Sequence, residues 1–228
     1  MEKIEYQESF KDLVSKRVAN YLGIGNPNSK ILFVGKEGSM ENICSKEIST
    51  SEKWAEAIKE KRPYFEKYTD EFRGGHTWKK YQKLHDYIFP DNITPKEINF
   101  GERIFATEMS EIRKKTTKEA QREFEFIDRL KNRKNTFFKS DFIQQFPVIL
   151  LACGDYIKNN DEVREIDDIF KVEFEKKYPD ENEKHRYSFY THYNKDKSKL
   201  VIHTRQLSGD VPDELLKKMG EIIRNFIK

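Results

Sequence analysis

Apolar residues recur at helical spacing at Phe10, Leu13, Val14, Val18 and Tyr21, and the turn-forming "GIGNPNS" follows them. This pattern predicts an amphipathic helix over 5–22 that ends in a loop. The run "ILFVG" at 31–35 then predicts a short buried strand closed by glycine. Helical patterns follow at 51–62 and at 78–89, where Trp78, Tyr81, Leu84, His85 and Ile88 share a face, and "RGGH" separates them. "RIFAT" at 103–107 predicts a second strand. Ala120, Phe124, Ile127 and Leu130 fall on one face of a long charged helix, and "FFKSDFIQQF" also has helical character. "PVILLACG" at 147–154 predicts a third strand, the acidic stretch 160–184 an exposed helix, and "RYSFYTHY" with "SKLVIHT" a hairpin or two neighbouring strands. Leu215, Leu216, Met219, Ile222, Ile223 and Phe226 close the chain with an amphipathic helix.

Short apolar strands separated by helices specify βαβ units, hence a mainly parallel sheet covered on both faces. The expected fold is therefore α/β, a three-layer α/β/α sandwich with four strands near 31–35, 103–107, 148–152 and 200–203. Residues 1–228 are read as one domain, with an acidic insertion at about 155–195. Ligands of such sheets bind at the carboxyl ends of the strands. The turns Lys36–Ser39, Thr107–Glu111, Gly154–Asp155 and His203–Leu207 are thus where chemistry is sought.

Composition narrows the class. Hydrophobic residues make up 36% of the chain and charged residues another 36%, yet 17 Phe and 11 Tyr supply bulky material for a core. No apolar run approaches the ~20 residues that span a bilayer, and "MEKIEYQESFKD" has no signal-peptide pattern, so a cytoplasmic monomer without membrane contact is expected. Cys44 and Cys153 are far apart and share no Cys-x-x-Cys spacing, so no metal site is expected and the thiols are read as reduced. Net charge is only +3, but residues 103–139 hold 11 Lys/Arg against 6 Asp/Glu. Such a basic segment with interleaved Phe faces either solvent or nucleic acid.

Taken together, the four strand ends resemble the uracil-DNA glycosylase superfamily. "HTRQLS", His203 to Ser208, keeps the histidine, leucine and serine of the family's last motif in register. "ILFVGKEGSMEN" resembles the start of its first motif, "IFATEMSEIRKK" its middle strand and basic run, and "PVILLACGDYI" its third strand. The resemblance implies a four-stranded, mainly parallel sheet and hydrolysis of the N-glycosidic bond of an altered base in DNA, single-stranded or damaged, without cofactor. Glu37 falls on the family's water-orienting carboxylate, and His203 on the histidine that donates to the departing base. Gly35 and Glu108 fall on its base-binding positions, and Leu207 on its apolar wedge. Arg205, Gln206, Ser208, Arg113 and Lys114 are implied as nucleic-acid contacts.

The chain also departs from the family. Glu37, Gly38 and Ser39 replace an Asp-Pro-Tyr, and Lys36 stands where it could pair with Glu37. Glu108 replaces a base-reading Asn; an amide offers donor and acceptor together, whereas an ionised carboxylate only accepts. That change suits a base presenting an amino group, or a pocket that no longer reads bases. Two other readings follow from the residues: a catalytically silent nucleic-acid-binding or protein-interaction module on the same fold, and a nucleotide-handling enzyme using "GKEGS" as a phosphate cradle, although the P-loop spacing is absent.

Overall fold

The computed structural model describes residues 4–38, 50–62, 68–69, 76–93, 97–160, 162–179, 187–208 and 211–228. Ser39 to Asn42 of the first motif, Cys44 and the "RGG" of "RGGH" lie outside them. In chain order the elements are α1 (Glu8–Ser15), β1 (Ile24–Gly25), β2 (Ile31–Gly35), α2 (Thr50–Glu60), β3 (Tyr68–Thr69), α3 (His76–Ile88), β4 (Glu97–Ile98) and β5 (Phe105–Glu108). They continue with α4 (Thr117–Gln121), α5 (Phe126–Asn135), α6 (Asp141–Gln144), β6 (Val148–Leu151), α7 (Glu165–Phe170), β7 (Glu173–Tyr178), β8 (Phe189–Tyr193), β9 (Leu200–Thr204) and α8 (Asp213–Ile227).

The fold is α/β, built on a mixed seven-stranded sheet of order β1-β5-β2-β6-β9-β8-β7, with β3 and β4 forming a separate two-stranded ribbon. This corrects the expectation of a four-stranded, mainly parallel sheet. The four expected strands do lie side by side and parallel, as β5, β2, β6 and β9. Three antiparallel strands extend them: β1 on one edge, β8 and β7 on the other. The acidic stretch does not form one helix. Its described residues hold the six-residue α7 and then β7, an edge strand almost wholly exposed, so the supposed insertion supplies β7 and β8 to the main sheet.

Each central strand is buried on both faces, because helices cover both sides. Leu32, Val34, Phe105, Ile149 and Leu151 point into one core with Phe10 of α1, Trp54 of α2, Phe126 of α5 and Phe142 of α6. Phe33, Ala106, Leu150 and Ile202 point the other way, against Tyr81 and Leu84 of α3 and Leu216 and Met219 of α8. The long charged helix expected beyond β5 is broken in two. Phe126 and Leu130 turn inward, while Phe124 and Ile127, expected on the apolar face, are exposed.

From β2 the chain crosses to β5 on one side, and from β6 it continues to strands on the other. The carboxyl ends of β2 and β6 therefore flank a topological switch point, where open α/β sheets form their ligand crevice.

Helices α3 and α8 approach closely at Gly220, where a Cβ would lie 2.4 Å from the Cβ of Tyr87. Gly220→Ala is expected to destabilise the protein by about 1–3 kcal/mol through overpacking, measured as a lowered denaturation midpoint with an unchanged slope.

Candidate functional site

Parallel register brings the strand ends level. Gly35 lies opposite Glu108, and Leu151 opposite His203. The absent side chain of Gly35 makes room for a carboxylate: a Cβ there would stand 2.2 Å from Glu108 Oε2 and 3.1 Å from the Tyr81 hydroxyl. The Glu108 carboxyl thus folds over the end of β2 toward Tyr81 on α3.

The backbone under Glu108 is held by Arg133 of α5, which is buried. Its Nε donates to the Glu108 carbonyl at 3.0 Å, Nη1 pairs with Glu111 at 2.6 Å, and Nη2 donates to the Tyr21 carbonyl at 2.9 Å and Thr107 Oγ1 at 3.1 Å. Its guanidinium also packs over the Phe137 ring at 4.1 Å.

Glu37 follows β2 and accepts a hydrogen bond from the hydroxyl of Thr117 at the start of α4. Lys36 does not pair with it, contrary to the alternative that the sequence left open. Lys36 Nζ instead reaches Asp155 at 2.5 Å and sits 4.7 Å above the centre of the Tyr156 ring. Burial pushes the Tyr156 hydroxyl far up from its ordinary value, helped by the nearby Glu37 carboxylate, although no well-formed hydrogen bond joins the two. Burial, reinforced by the like charge of Glu37, raises Glu108 to about 8 despite the opposing pull of Arg113 and Arg133. At neutral pH Glu108 is therefore a carboxylic acid, with an O–H donor as well as an acceptor. The ionised, acceptor-only form considered from the sequence is disfavoured here by burial next to a second carboxylate.

His203 lies elsewhere. Its Nε2 is 3.0 Å from the Gly154 carbonyl, which can only accept, so the proton is on Nε2 and Nδ1 is left as an acceptor. Burial pushes the ring below the ordinary imidazole value, so the neutral form prevails at pH 7. The Tyr190 ring stacks beside it at 6.0 Å, and the Arg205 guanidinium lies 4.4 Å over the Tyr187 ring. These groups line a cleft of about 410 Å3 together with Lys36 and Gln206, and Glu37 is not among its walls. The Lys36–Asp155 bridge stands between the two halves of the site.

The other expected residues separate clearly. Arg113 lies against Gly38, over the Tyr21 ring at 4.8 Å and close enough to Glu108 to lower its pKa. Lys114 pairs with Glu123 at 2.6 Å. Ser208 is half-buried, and Leu207 is completely buried in the core beside α8, so it cannot serve as a wedge in this conformation. Its burial is worth roughly 2 kcal/mol to the fold, which exposure would forfeit. Tyr81 and Tyr156 were not singled out beforehand. Tyr156 follows the glycine after the third strand and was visible there, whereas Tyr81 is masked by its place on an apolar helix face.

Five buried atoms around these strand ends have no hydrogen-bond partner: Glu37 Oε2, Tyr81 Oη, Glu108 Oε2, Tyr156 Oη and His203 Nδ1. Unsatisfied polar atoms are scarce in folded proteins, and these are atoms that water or a bound polar molecule can satisfy. Among the described residues no group of three or more His, Cys, Asp or Glu is arranged to hold a metal ion, and no helix is long and apolar enough to cross a membrane. Cys153 is buried, and burial pushes its thiol up to about 12.

Because Glu108 binds its proton more tightly folded than unfolded, its contribution to stability is complete below about pH 4.5 and declines as pH rises through 8. Glu108→Gln removes this dependence. Melting curves at pH 5 and pH 9 are expected to show the variant gaining on the wild type by on the order of 4 kcal/mol at the higher pH. Comparison with known proteins adds no relative: no family model, no curated protein and no solved structure matches the chain.

Proposed function

We propose that the protein is a divergent DNA glycosylase-like hydrolase, which seats an extruded nucleobase at the carboxyl ends of β2 and β5 and hydrolyses its N-glycosidic bond. The observation that carries this reading is the pair of open carboxyl oxygens, Glu37 Oε2 and Glu108 Oε2, at the ends of β2 and β5, with the Tyr156 hydroxyl near the first and the Tyr81 hydroxyl near the second. The resemblance of "HTRQLS" and "ILFVGKEGSMEN" to the uracil-DNA glycosylase superfamily gives these groups their roles. Glu37 holds and orients the attacking water. Neutral Glu108 offers donor and acceptor on one edge, as an amide does, so it pairs with a base edge carrying one of each and needs no amino group on the base. Arg113 supplies positive charge beside the pair, and Arg205 with Gln206 contacts the strand at the phosphate.

A second reading, a silent nucleic-acid-binding module on this fold, is favoured by His203. Its only N–H is directed at the Gly154 carbonyl and not into the space around Glu37, so a leaving base receives no proton from it unless the ring turns.

A screen of single-stranded and duplex oligonucleotides carrying uracil, hypoxanthine or xanthine, scored for abasic sites, separates the two readings. Under the first, some substrate is cleaved and Glu37→Gln slows single-turnover release by roughly a hundredfold or more with little loss of binding. Unchanged release in that variant removes Glu37 from the mechanism. Binding without release on any substrate supports the silent module.

Two further outcomes are expected. Recognition of the base requires protonated Glu108, so affinity for the modified nucleotide falls as pH rises through about 8, and Glu108→Gln flattens that profile. Arg205→Ala makes the decline of log affinity with log salt shallower by about one phosphate contact, as read from titrations at several salt concentrations.

A further inference from the structure

We propose that Phe124, on the elbow between α4 and α5, is a stacking platform for an unpaired strand of nucleic acid running beside the candidate site. The inference rests on the nucleic-acid reading above and adds to it a contact that Leu207, buried in the core, does not supply.

Phe124 is 101% exposed and Ile127 68% exposed, the two highest values among the large apolar side chains described. Their exposure does not come from a loose segment. Thr116 caps α4 by accepting from the Glu119 amide at 3.2 Å, Ala120 is fully buried, and Phe126 packs edge-on to Tyr156 at 5.3 Å. The elbow is thus anchored on both sides while Phe124 points outward.

Its position links it to the site. Phe124 lines a cleft of about 460 Å3 that also includes Arg113, the residue lying against Gly38. Ile127 lines a larger one of about 620 Å3 that reaches Tyr156 and Asp155. A strand draped over the elbow is therefore led toward the carboxyl ends of β2 and β6 from either side.

Charge selects the occupant. Glu123 and Glu125, which flank Phe124, are neutralised by Lys114 at 2.6 Å and Arg129 at 3.6 Å. Lys115, Lys118, Arg122 and Lys131 remain without an acidic partner among the described residues, against Glu119 and Asp128, so the open charges around the elbow favour a polyanion. A second copy of the chain fits poorly. One Phe and one Ile ringed by charges fall far short of the ~800 Å2 per partner of a stable interface. A single exposed ring is enough to stack one base.

The test is fluorescence anisotropy with a labelled single-stranded oligodeoxythymidylate and with a duplex of the same length. Phe124→Ala is expected to weaken single-strand binding roughly tenfold with an unchanged melting temperature and an unchanged salt slope, since no charge is removed. Arg122→Gln should make the slope shallower. Phe124→Trp is expected to restore affinity and to add a tryptophan signal, above that of the wild type, that is quenched on binding. Wild-type affinity in Phe124→Ala overturns the platform and leaves the nucleic-acid reading standing. A wild-type dimer that dissociates in Phe124→Ala with oligonucleotide binding intact also overturns it, in favour of self-association. Failure of the wild type to bind any oligonucleotide removes both the reading and the platform.

Discussion

The buried guanidinium of Arg133 fixes the end of β5, and the candidate site depends on that fixation. Parallel strands have no tight turn to set their register, so alignment must come from packing and from contacts at their ends. Arg133 spends its donors on the carbonyl of Glu108, the hydroxyl of Thr107, the carbonyl of Tyr21 and the carboxylate of Glu111. It thereby ties β5 to the loop after α1 and sets Glu108 level with Gly35. A one-residue slip would turn Glu108 to the opposite face of the sheet and place Thr107 opposite Gly35.

From this alignment the electrostatics follow. Gly35 gives the Glu108 carboxyl a recess where water is excluded, and the same recess lies within reach of Glu37. Two ionised carboxylates so placed repel each other with little solvent to screen them, and Glu108, the more enclosed, retains its proton near pH 7. The unpartnered oxygens have the same origin: Tyr81, on α3, lies on the Glu108 side, and Tyr156, after β6, lies on the Glu37 side, in the cores of opposite faces of the sheet. Each polar atom is buried by the fold, and Tyr156 and Glu37, although close, make no well-formed hydrogen bond.

The central strands are legible in the sequence because each is a run of apolar residues bounded by turn formers, buried on both faces. The edge strands are not. β7 reads "EFEKKY" with its side chains in solvent, and its place in the sheet comes from backbone pairing to β8, which carries little side-chain signature. The helix expected through Ala120, Phe124, Ile127 and Leu130 fails for a different reason. Phe126 and Leu130 also have helical spacing, and packing Phe126 on Tyr156 outweighs continuity with α4. Strand-end positions such as Glu37, Glu108 and His203 follow from chain order alone. Their partners do not, since His203 finds its acceptor 49 residues away at Gly154 and Glu37 finds its donor 80 residues away at Thr117.

The Lys36–Asp155 bridge divides the carboxyl edge of the sheet into a carboxylate side and a histidine side. Lys36 is mostly enclosed, with 13% of its side chain exposed, whereas Asp155 is 72% exposed. A pair with one partner so well hydrated contributes at most about 1 kcal/mol, and salt weakens it further. The ammonium, by contrast, is held in place by the Tyr156 ring beneath it. The anion is thus the replaceable member and the cation the fixed one. The division between the two halves is therefore far weaker than the β2–β5 and β6–β9 registers on which they are built.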